Sequence, residues 1–225
     1  MDNIKIDKII RSKRKTLALE VARDATLIVR APKKASLEHI ERIVHKKRFW
    51  IKEKQRIAKE RYQRIIPKEF VNGEGFLYLG NTYRLSIVNK EVFPPLSFDR
   101  EFQLAKKYLP YARELFINWY KRQASMKIKE RLDWYSTLLG IKYNEFSVTD
   151  AKRRWGSCSA KGNLHFTWRL IMAPLGVIDY VIVHELTHLA EKNHSKKFWN
   201  KIRLILPNYD ESKRWLKNNE HLLKI

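Results

Sequence analysis

The stretch Val181-Ile182-Val183-His184-Glu185-Leu186-Thr187-His188-Leu189-Ala190 constrains this chain more than any other part of it. Its apolar residues belong to a buried helix, yet it carries two histidines and a glutamate. At 100° per residue, positions four apart differ by about 40°, so His184 and His188 project from one helix face, one turn apart. That separation suits two ligands on one tetrahedral Zn²⁺. Glu185 stands beside the first ligand, placed to take a proton from a metal-activated water rather than to bind the metal. A buried helix carrying these three groups without a shared partner would be expensive. The apolar flanks also give such a site dry walls.

Zinc in a hydrolase takes three protein ligands and keeps one position for water. His194 is the leading third ligand and Glu191 its competitor. On a straight helix His194 would lie about 9 Å beyond His188 and some 120° round from it. It reaches the metal only if the chain turns after about Ala190. Asn193, which tolerates left-handed geometry, and Ser195, a helix cap, supply such a turn. Glu191, near the helix end, could instead accept a hydrogen bond from a ligand N–H.

Around this helix the pattern predicts an α+β chain with a β-rich N-terminal region over 1–100 and a catalytic domain over 101–225. Ile4 to Ile10, Thr16 to Val21 and Thr26 to Val29 read as short strands, with hairpin turns at Ser12 to Lys15 and Ala22 to Asp24. Ser36 caps a long basic helix running to about Arg64. Phe76 to Leu79 and Tyr83 to Val88 form a hairpin around Gly80-Asn81, and Pro94 to Asp99 reads as linker or edge strand. Helical spacing then covers Phe102 to Leu139, ending at Gly140. Phe146 to Thr149 and Leu164 to Met172 are strands. Helices follow from Pro174 to Glu191, from Ser195 towards Pro207, and from Asp210 to Leu223.

Composition narrows the class. The 225 residues are 44% hydrophobic, enough for a real core. No run is long enough for a membrane helix, and Met1 to Ile6 lacks a basic-then-apolar leader. Cys158, the single cysteine, excludes an internal disulfide, so a cytoplasmic location is expected. Lys and Arg number 47 against 24 acidic residues, a net charge of +23, which favours polyanionic partners such as nucleic acid. Lys46 to Arg64 interleaves Phe49, Trp50 and Tyr62 with cations. That segment reads either as a track for a phosphate backbone or as a solvated helix face.

Several other residues carry two readings. Leu164 to Met172 is either the sheet edge that pairs with an extended substrate or a core strand. Arg154 and Trp155 anchor their loop by stacking or line the cleft. Cys158 is a structurally placed thiol, with a fourth metal ligand in a latent state or a redox-sensitive thiol as the alternatives. Tyr180, one turn before His184, packs the helix or stabilises an oxyanion. His39, His45, His165 and His221 show no partner pattern.

Arg154-Trp155-Gly156-Ser157-Cys158, Trp168-Arg169-Leu170, Ala173-Pro174, Asp179-Tyr180-Val181, the H-E-x-x-H, Asn193-His194-Ser195 and Phe198-Trp199 occur in this order. With Arg11 to Thr16, Arg30-Ala31-Pro32 and Leu79-Gly80, they resemble the YgjP-like metallopeptidases, relatives of the SprT-like and WLM peptidases. Thr167 stands where that family usually shows Asn. The resemblance implies a zincin-type domain with His184, His188 and His194 as zinc ligands and Glu185 as catalytic acid/base. It implies a protein or peptide substrate. Cleavage of DNA-bound proteins, hydrolysis of a non-peptide bond and a purely structural zinc are the other readings. Glu185 argues against the last, because a structural site needs no base.

Overall fold

The computed structural model describes residues 4–22, 24–63, 67–90 and 93–225, and the chain divides into two compact units, Met1–Ile66 and Pro67–Ile225. The sequence reading places this division near residue 100. In the structure the second β region sits in the C-terminal unit, because Phe76 and Phe102 pack on Phe116 with ring centroids 4.1 and 4.9 Å away.

In the first unit, β1 (Lys8–Ser12), β2 (Ala18–Val21) and β3 (Leu27–Pro32) form a sheet in the order β1-β3-β2. β2 and β3 are antiparallel, and their expected turn includes Arg23, which lies outside the described residues. β1, however, runs parallel to β3. Ser12 to Lys15 is therefore not a hairpin turn: it joins β1 to β2, and β3 lies between these two strands in the sheet. Leu27, Val29 and Ala31 alternate as fully buried residues and meet Ile40, Val44 and Ile51 from two helices. These are α1 (Leu37–Lys46), capped by Ser36 Oγ accepting from the His39 amide at 3.2 Å, and α2 (Arg48–Gln63). The single long helix expected here is thus two, broken at Lys47, where neither Gly nor Pro marks the break. Its expected end at Arg64, and the side chain of Tyr62, lie outside the described residues.

The second unit opens with β4 (Gly75–Tyr78), β5 (Asn81–Val88), β6 (Leu96–Phe98) and β7 (Phe102–Ala105), in the order β4-β5-β7-β6. Phe102 to Ala105 is a strand, not the start of a helix; four residues are too few to separate the two periods. Helix α3 begins only at Ala112 and ends at Leu139, closed by Gly140 at φ 61°. The β4–β5 turn uses Leu79 and Gly80, both at positive φ, as a two-residue hairpin requires. Its tip donates from the Leu79 and Gly80 amides to the Ile171 and Met172 carbonyls, at 2.9 and 3.1 Å. A side chain at Gly80 would stand 2.8 Å from Pro174, so the glycine lets the hairpin brace the segment that launches the metal-motif helix.

The third sheet has the order β8-β10-β9, from β8 (Phe146–Thr149), β9 (Gly156–Cys158) and β10 (Leu164–Thr167). The strand expected to reach Met172 stops at Thr167, and Trp168–Met172 is a 3₁₀ turn. Beyond it lie α4 (Leu175–Ala190), α5 (Lys196–Ile205) and α6 (Tyr209–Asn219). α4 is buried along most of its length, through Val177, Ile178, Ile182, Val183 and Leu186. Arg131 of α3 grips the buried Asp179 of α4 through two hydrogen bonds of 2.7 and 2.8 Å. No helix among the described residues is long and apolar enough to cross a membrane.

Candidate metal centre

α4 stops because Glu191 is extended, at φ −125° and ψ 100°. The expected left-handed residue, Asn193, is not in that region. Ser195 then starts α5, its Oγ accepting from the Phe198 amide at 3.3 Å. This corner folds His194 back onto the face of α4 that carries His184 and His188. His194 Nε2 lies 3.1 Å from both His184 Nε2 and His188 Nε2. Among the described residues, these three form the His, Cys, Asp or Glu group that could hold a metal ion.

The surroundings orient His188 and hold His184 and His194 below the usual imidazole range by burial. His188 Nδ1 donates to the Glu191 carbonyl at 3.1 Å, which leaves the Nε2 lone pair pointing into the cluster. Burial, with the two neighbouring histidines, holds His184 down at about 3. Fully buried Phe198 packs against all three rings at 4.6 to 5.0 Å, and Trp199 stacks on His194. Glu191 offers only its backbone to the centre, because its carboxylate is taken by Lys197 and Lys201 at 3.1 and 2.9 Å.

Glu185 is 6% exposed, and burial pushes its carboxyl up to about 7 against the opposing charge of Arg154. It fits because Gly156 of β9 has no side chain: a Cβ there would stand 2.7 to 3.0 Å from Glu185 Cγ, Oε1 and Cδ. A cleft of about 530 Å³ runs over Glu185 and the histidines, with Gly156 to Ala160 as its other wall. Cys158 lines this cleft but is not in the metal-holding group; burial raises its thiol. Trp155 lines two neighbouring clefts and Arg154 one of them, and neither lines the cleft over the histidines. Tyr180 packs between Tyr209 and His184. His165 pairs with Ser147 Oγ at 2.6 Å, away from the cluster. Thr167 is buried and donates to the Ala151 carbonyl at 2.9 Å. Sequence reasoning gave Gly156 no role, because a glycine that makes room for a carboxylate 29 positions later leaves no local pattern.

A mixed α+β fold, a buried helix with two imidazoles one turn apart and a third folded back on them make a site that could hold a metal ion, and the family match gives it the class of a metal-dependent peptidase. Residues 15–219 match the family model described as "YgjP-like, metallopeptidase domain", and the chain belongs to that family. The crystal structure of the metallopeptidase zymogen jannalysin from Methanocaldococcus jannaschii is similar over 40% of this chain and 92% of its own, with 25% sequence identity and a TM-score of 0.37. No curated protein matches the chain.

Proposed function

We propose that the chain is a zinc metallopeptidase with His184, His188 and His194 as ligands and Glu185 as general base. The observation that carries this reading is the convergence of three Nε2 atoms, 3.1 Å apart in two pairs, next to one buried carboxyl. With Zn–N bonds of about 2.0–2.1 Å, tetrahedral ligand nitrogens stand roughly 3.3–3.4 Å apart, so the donor set fits the ion. Zn²⁺ supplies a Lewis acid for the scissile carbonyl and makes water acidic near neutral pH. Glu185 takes the proton of the attacking water on a carboxylate oxygen and delivers it to the leaving amine.

Substrate pairing belongs to β9 in this reading. β10 is the central strand and pairs on both sides, whereas β9 has one edge unpaired among the described residues and walls the cleft. An extended peptide can add to that edge through its backbone. Glu185→Gln keeps the shape and removes the base. Peptide hydrolysis should fall at least ~100-fold while zinc content stays unchanged; a variant as active as wild type would contradict Glu185 as base.

A second reading, nucleic-acid binding, concerns the first unit alone. More than half of the net charge of +23 falls in its 66 residues. Phe49 is 72% exposed there, with Arg48 over its ring at 4.5 Å, and Trp50 is 43% exposed. Cations beside exposed rings suit a single-stranded nucleic acid, through phosphate contacts and base stacking. Fluorescence anisotropy with labelled oligonucleotides should show binding that weakens steeply with salt. Absence of binding at low salt would remove this reading.

A further inference from the structure

Beside the histidine cluster a second cleft, of about 360 Å³, opens between Trp155, α4 and α6. Its α4 wall contains His184 and Glu185, so whatever fills it lies next to the reacting bond. Its other wall is α6, where Lys213, Leu216 and Lys217 fall three and four positions apart and share one face. Leu216 and Val181 are buried and give the cleft an apolar floor. Lys213 is steadied over the Trp199 ring, 4.2 Å from its centroid. Among the described residues no ion pair joins Lys213 or Lys217 to a carboxylate, although Glu220 lines the same cleft. Two ammonium groups of α6 thus enter the cleft beside Glu220 and across from Glu185, over a floor that suits a short methylene stem.

We propose that this cleft is a specificity subsite for a substrate carboxylate, held by Lys213 and Lys217 within a residue or two of the scissile bond. The inference rests on the peptidase reading and sharpens it: the substrates are peptides carrying Asp, Glu or a free C-terminus at that position. A substrate Lys or Arg meets like charge there and is disfavoured. Both ammonium groups are solvent-exposed, which keeps the preference at the lower end of what charge-assisted hydrogen bonds give, about tenfold in kcat/KM for Glu over Gln.

The test uses the zinc-loaded full chain and matched peptides that place Glu, Gln or Lys at each position flanking the cleaved bond, with free or amidated C-termini, read by mass spectrometry. One position should favour Glu over Gln about tenfold, and the Lys213→Glu/Lys217→Glu variant should reverse this towards Lys while keeping its zinc. An advantage confined to free C-termini would identify the terminal carboxylate as the group held; one at internal Glu would identify the side chain. Cleavage with no difference between Glu and Gln peptides, or a preference that survives charge reversal, would overturn the subsite and leave the peptidase reading standing. Cleavage of no peptide would count against the peptidase reading. The subsite would then be decided by anisotropy, with tighter wild-type binding of the Glu peptide, lost on charge reversal, supporting it and equal binding overturning it.

Discussion

Gly156 and Glu185 make one unit at the scale of single residues, because the missing side chain of one is the space occupied by the other. Gly156→Ala places a methyl group against the far end of a flexible side chain, which moves without breaking the fold. The carboxylate then leaves its position. A displacement of about 1 Å costs on the order of 100-fold in rate, so steady-state assays should show kcat down by 10- to 100-fold, with zinc content unchanged. An unaltered kcat would show that this cradle does not position Glu185. Helix geometry made the facing of His184 and His188 legible in advance. The return of His194 was legible as a turn, but not its means, since the extended Glu191 does what Asn193 was expected to do. Gly156 and Lys213 were illegible as site residues because their partners are distant in sequence and only the fold brings them together.

Among the elements, α4 is held in place from two directions. The β4–β5 hairpin tip bonds the segment that precedes it, and Arg131 of α3 clamps Asp179 on its flank. Asp179→Ala leaves a guanidinium, 21% exposed, facing a buried gap. The loss should be about 2–3 kcal/mol, below the full cost of an uncompensated buried charge because Arg131 keeps some contact with water. Urea unfolding of Asp179→Ala and of the Arg131→Met/Asp179→Ala pair measures it, the pair being less destabilised than the single variant if the orphaned charge is the cause. Elements with local punctuation were legible: Ser36, Ser195 and Gly140 mark helix ends where the structure has them. Elements fixed by tertiary partners were not. Only pairing with β5 and β6 makes Phe102 to Ala105 a strand, and only the parallel register with β3 sets the side on which β1 lies.

For the molecule as a whole, the sequence foresaw the α+β class but not where the chain divides, because the aromatic packing that ties the second β region to α3 has no linear signature. The second unit concentrates the chemistry and the first carries a disproportionate share of the positive charge. All of the proposed chemistry depends on one ion bound by three imidazoles. The direct test is elemental analysis of wild type and His194→Ala, both purified without chelator. The account predicts close to one zinc per wild-type chain and loss of most of it in the variant, while the circular dichroism of the fold persists. A wild-type chain without stoichiometric metal, or a variant that holds zinc as tightly as wild type, would contradict it.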